Sequence, residues 1–150
     1  MGVSTNGILT YGYDLGGPEH WFLDGVEYEE LQGTVPWWPK GSEDEEEGFA
    51  DAVVKALCPV FGFEVPKWSW EVETKLPVQV ITHCSLDYPM YILSAGLTTH
   101  TSYRGRARLL NMNSLAVQQE WAENLQRALD ALGIKPKQKE PGWILASLWG

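Results

Sequence analysis

The chain is short of several things, and each shortage removes a class of function. It has two cysteines, Cys58 and Cys84, in 150 residues. Two cannot build a disulfide framework, and no C-x-x-C or H-x-x-x-H spacing is present, so zinc coordination is not expected. No run of about eighteen apolar residues exists, which excludes a membrane-spanning helix, and no membrane is expected as a partner. The stretch MGVSTNGILTYGYDLGG lacks a basic region and a long apolar core, so it does not read as a secretory signal. A cytoplasmic, reduced protein is the expectation. Phosphate-binding glycine loops are missing too. GYDLGG and GGPEHW lack the lysine and the strand-to-helix setting such loops need. No cofactor is expected.

Bases are scarce in the first third. Residues 1–51 hold twelve acids against one base, Lys40, whereas residues 52–150 hold eight acids against ten bases. The whole chain carries a net charge of −9. An acidic half repels bare nucleic acid and favours basic partners, so nucleic acid is not expected to bind there. The same charge also serves solubility.

Apolar substance is plentiful. The chain is 44% hydrophobic and has a mass of 16.9 kDa. That is one domain's worth, able to bury about two-thirds of its unfolded surface without disulfide or metal. Residues 1–150 are read as a single domain with no internal repeat. GILTYGYDL (7–15) predicts a first strand. Residues 18–47 predict a long acidic, tryptophan-containing loop, with a short strand near residues 26–31. A connection of that length in a compact domain is often functional. Phe49, Val53, Leu57 and Val60 recur at helical spacing, with Pro59 and Gly62 as the stop. VPKWSWEVETKL predicts a short helix, from Trp68, Val72 and Leu76 at i, i+4 and i+8. PVQVITHCS and MYILSAGLTTHTS predict two strands joined as a hairpin at the centre of a sheet. NSLAVQQEWAENLQRALDALGI predicts the clearest helix. Val117, Trp121, Leu125, Ala128 and Leu132 share its face, Asn113 or Ser114 caps it, and Gly133 ends it. GWILASLWG predicts a buried closing strand. The fold class is α+β: a mostly antiparallel sheet of about four strands with two or three helices on one face.

Three stretches, STNGILTYGYDLG, THCSLDYPMYIL and WILASLWG, resemble small uncharacterised proteins encoded by actinobacteria and their bacteriophages. The resemblance implies a bacterial or phage-infected cytoplasm and an accessory role in infection. It implies no catalytic residue.

The chemistry-bearing residues are few. His83 and Cys84 are adjacent, but neighbours on a strand point to opposite faces, so the histidine is poorly placed to activate the thiol. Both cysteines are expected to be reduced and largely buried. Arg104, Arg106 and Arg108 alternate and would share a face on an extended segment, which fits an anion site or pairing with the protein's own acids. Eight tryptophans are present. In PWWPKGSEDEEEG (36–48), Trp37 and Trp38 read either as surface anchors or as inward staples. The acids that follow read as a partner-facing patch or as the start of the next helix.

The function expected first is binding of a host protein through an acidic, aromatic surface built from Trp37, Trp38, Glu43, Asp44 and Glu45. The alternative is binding of a small anionic ligand, held by Arg104 or Arg106. A DNA mimic and an enzyme using His83, Asp87 or His100 are minor readings. The partner's identity and the oligomeric state are not legible.

Overall fold

A computed structural model describes residues 4–17, 21–22, 32–41 and 48–150. The first strand, β1, runs Thr5–Gly16, and a short β2 covers Trp21–Phe22. Helix α1 follows at Phe49–Val60, then β3 at Val78–Ser85, β4 at Pro89–Ala95 and β5 at His100–Tyr103. Helix α2 spans Gln119–Leu132, β6 is Lys135–Pro136, and β7 is Gly142–Trp149. The architecture is α+β: one mixed, mostly antiparallel five-stranded sheet with two helices, and a two-stranded β2–β6 pair. Among the described residues, no helix is long and apolar enough to cross a membrane.

The sheet order is β4-β3-β7-β1-β5, and β4 pairs with β1 as well. One edge of β1 carries β7 from Thr5 to Gly12. The other edge carries β5 opposite Asn6–Leu9 and β4 opposite Gly12–Gly16. Strand β3 joins β4 and touches the end of β7. The sheet therefore curls until β1, β4, β3 and β7 form a ring.

That curl gives the sheet an outer and an inner face, because alternate residues of a strand point to opposite sides. Tyr11, Tyr13, Leu15, Val78, Leu93 and Ala95 face outward into the main core beneath α1 and α2. Ile8 and Ile92 are buried apart from that core, on the inner face. Gly12 sits where β1 crosses β4. A Cβ there would lie 1.9 Å from the Leu93 carbonyl oxygen, so only glycine allows the crossing.

Both helices bury one stripe. Phe49, Ala52, Val53, Leu57 and Cys58 of α1 meet Leu125, Ala128, Leu129 and Leu132 of α2 in one core. Each helix ends on a left-handed glycine, Gly62 and Gly133. The next residue then bonds back, Phe63 N–H to Cys58 O at 2.8 Å and Ile134 N–H to Leu129 O at 3.2 Å. This is the Schellman arrangement, which satisfies carbonyls the helix leaves open. Arg127 of α2 ties that helix to the end of α1 by donating to Val60 O at 2.7 Å.

Several sequence expectations are corrected. The helix expected in residues 65–76 is a single 3-10 turn at Ser69–Glu71. Leu76 is buried but Trp68 is 53% exposed, so the periodic residues have no common apolar face to stabilise a helix. The strand expected in MYILSAGLTTHTS is broken. Strands β4 and β5 follow one another along the same edge of β1, separated by a turn with Leu97 at φ 65°. The β3–β4 hairpin forms as expected, and within the ring each of its strands has a neighbour on both sides.

Helix α2 begins later than expected. Asn111 accepts the Asn113 N–H and closes a separate 3-10 turn, Met112–Leu115. Ala116 is then extended, so Val117 lies outside the helix and is exposed. Cys58 is fully buried, whereas Cys84 is only half-buried. The closing strand β7 is not buried throughout, because its outer face opens to solvent beyond Trp143. The strand expected near residues 26–31 lies outside the described residues, as do the acids 43–47.

Candidate functional site

The expected surface tryptophans turn inward. Residues 35–38 form a β-turn closed by Trp38 N–H to Val35 O at 3.2 Å, with Pro36 at the position whose φ proline presets. The turn delivers both indoles to the core. Trp38 is 9% exposed and stacks on Trp37 with centroids 6.3 Å apart, and both rings meet Phe49 edge-on. Trp37 Nε1 donates to Leu132 O at 3.1 Å, which satisfies one of the open carbonyls at the end of α2. The staple reading of this pair is the arrangement found. Glu43, Asp44 and Glu45 lie outside the described residues.

The arginines stay outside. Strand β5 ends at Tyr103, and a tight turn with Gly105 at φ 75° carries Arg104 and Arg106 into solvent. The turn closes by Arg106 N–H to Tyr103 O at 2.9 Å and by the Ser102 hydroxyl donating to Arg106 O at 2.8 Å. The chain then doubles back beside β5, and the Arg108 guanidinium donates to Thr101 O at 3.3 Å. Arg104 and Arg106 line an open depression with Thr5, Gly7 and Tyr103. Arg108 borders a neighbouring trough of about 180 Å³, between Leu9, His100, Leu110 and Leu145. Gly7 and Ser102 belong to both.

Register explains why these residues meet. Leu9 pairs with His100 on one side and Leu145 on the other, while Gly7 pairs with Ser102 and Ser147. Thr5 pairs with Trp149 and Tyr11 with Trp143. All of these sit on the outer face. At one end that face is roofed: Trp121 of α2 packs on Tyr11 and Trp143 at centroid distances of 5.3 and 6.0 Å. At the other end Leu145 is 81% exposed and Trp149 50%. An inner strand thus shows large apolar side chains to water, and the arginine turn stands at their border.

The remaining groups do not assemble into a catalytic set. His83 is on the inner face, with Nε2 3.9 Å from Asp14 Oδ1 and no hydrogen-bond partner. Burial lowers its pKa below the usual histidine value, and the Asp14 charge opposes that shift in part. His100 lies on the outer face beside Trp143, on the opposite side of the sheet from His83. Asp87 is exposed in the β3–β4 turn. Burial raises the Cys58 thiol pKa. Among the described residues, no three of His, Cys, Asp and Glu gather in a way that could hold a metal ion.

Leu9, Leu145 and Trp149 were not picked out by sequence reasoning. WILASLW is apolar at nearly every position, and such a run reads as a strand covered on both faces. The partial signal was Ser147, a polar residue in phase with the exposed side.

No family model, curated protein or solved structure matches the chain.

Proposed function

We propose that this chain acts by binding another protein, and that the unroofed end of the β1–β7 outer face is its docking surface. The observation that carries this reading is the exposure of Leu145 and Trp149 on an inner strand of the sheet. Exposed apolar groups scattered singly need no explanation, but contiguous ones with a polar rim mark interaction sites. Here Leu9 and Leu145 are cross-strand neighbours, Trp149 lies on the same face beyond Ser147, and Arg106 and Arg108 border it. The occupant is a protein segment with apolar and acidic side chains, which complements both features. In the setting implied by the resemblance to actinobacterial and phage proteins, that partner is a host protein in the host cytoplasm.

Trp68 and Trp70 form a second exposed aromatic pair, but they favour docking less. Lys67 Nζ lies 5.2 Å from the Trp68 ring centroid, and Glu64, Glu71 and Glu73 surround the pair in sequence.

The test compares capture of a host protein by the wild type and by Leu145→Asp, with Trp70→Ser as a surface control. Loss of the captured protein in Leu145→Asp, with retention in Trp70→Ser, supports the reading. Equal capture by Leu145→Asp overturns it.

A further inference from the structure

The trough beside Arg108 has a size and chemistry that narrow what enters it. Its volume of about 180 Å³ lies below the roughly 300–1,000 Å³ of clefts that hold drug-sized ligands and cofactors. It has room for one side chain. Its walls are aliphatic, from Leu9, Leu110 and Leu145. Arg108 and His100 also line it. Arg108 gives one bond to Thr101 O at 3.3 Å, and a guanidinium has five donors in a fork that matches a carboxylate.

We propose that the trough receives the C-terminal residue of a partner chain, an aliphatic residue whose carboxylate lies against Arg108. This rests on the protein-binding reading above and names the group that anchors it. A chain end supplies a branched apolar group and a carboxylate within one residue. An internal leucine brings the apolar group without the charge, and an internal glutamate brings the charge without the branched apolar group. Backbone ends are recognised elsewhere by clustered donors beside an apolar pocket. Gly7 keeps the floor open. A Cβ there meets only Ser102 at 3.8 Å, an ordinary contact, so a larger residue can be accommodated by the strand while narrowing the trough.

The probe is N-acetyl-Gly-Gly-Leu with a free carboxylate, titrated against the full chain and followed through the methyl resonances of Leu9, Leu110 and Leu145. The same peptide as its C-terminal amide and 4-methylpentanoate are the comparison arms. The expected result is saturable binding of the acid, with the amide at least ~10-fold weaker, a gap of about 1.4 kcal/mol. Arg108→Gln and Gly7→Val should each weaken the acid by a similar factor while keeping a folded spectrum. Equal affinity of acid and amide, or shifts confined to other methyls, overturns the proposal. Binding of 4-methylpentanoate as tight as the peptide also overturns it, because the site then serves a free small acid. These outcomes leave the docking reading to its own test, the Leu145→Asp comparison.

Discussion

The Thr98 hydroxyl accepts the backbone N–H of Tyr11 at 3.2 Å, at the break between β4 and β5. Along that edge β5 serves Asn6–Leu9 and β4 serves Gly12–Gly16, so Thr10 and Tyr11 face no strand. Thr98 stands in for the missing ladder bond and donates its own proton to Ala95 O at 2.7 Å. Thr10, Ser94 and Thr99 complete a hydroxyl cluster around it. An unsatisfied buried N–H costs about 1–3 kcal/mol. Thr98→Val should therefore lower the unfolding free energy by that amount in a urea titration. Thr98→Ser keeps the hydroxyl and should lose markedly less.

That hydroxyl cluster marks where sequence reading stops. The pairing of β3 with β4, the helix at 119–132 and its glycine end were legible because each rests on local signals: alternation, 3.6-residue spacing, a left-handed glycine. The break in MYILSAGLTTHTS was not. It depends on β1 lying alongside with its own hydroxyl at Thr10, which is 84 residues from Ser94. The same holds for the candidate site. The arginines near residue 105 were visible as a cluster, but Leu9 and Leu145 meet them only through a register of β1 with β7 that no local pattern states. The inward turn of Trp37 and Trp38 was an open choice, since a Pro-flanked aromatic pair serves a surface or a core equally well until its neighbours are known.

The curl of the sheet makes a sharp demand at Gly12. With an added Cβ 1.9 Å from Leu93 O and 2.9 Å from Ser94 Cα, backbone must move, and no flexible side chain can absorb the clash. Gly12→Ala should abolish native folding, read as loss of amide dispersion and of soluble yield. Gly7→Ala, on the same strand with nothing closer than 3.8 Å, should fold normally.

His83 gives a pH dependence of definite sign. Its folded-state pKa is lowered by burial on the inner face, with Asp14 opposing. The unfolded chain therefore binds a proton more readily than the native one. Stability from this group is whole above the unfolded value of about 6.5 and is lost as pH falls from there through the folded value. Denaturation midpoints should drop as pH falls below about 6.5, and His83→Leu should flatten part of that slope. A slope unchanged by His83→Leu would assign the pH response to the carboxylates alone.

Trp37 and Trp38 separate the core from the surface most directly. Trp38 is packed against Phe49 and stacked on Trp37, so Trp38→Ala leaves a cavity the helices cannot close without moving. Core tryptophan truncations cost about 3–5 kcal/mol. Trp37→Phe keeps most of the packing but removes the donor to Leu132 O, a loss of about 1 kcal/mol. Thermal and urea unfolding should rank the variants in that order. If the two rings served a partner instead, truncation would spare stability and affect capture alone. The bond from Trp37 to the last turn of α2 argues the other way. It links the turn at 35–38 to the C-terminal end of the helix, so losing the rings should also loosen α2. Faster amide exchange at Leu129–Gly133 in Trp37→Phe than in the wild type would report that link, at a distance no surface role would reach.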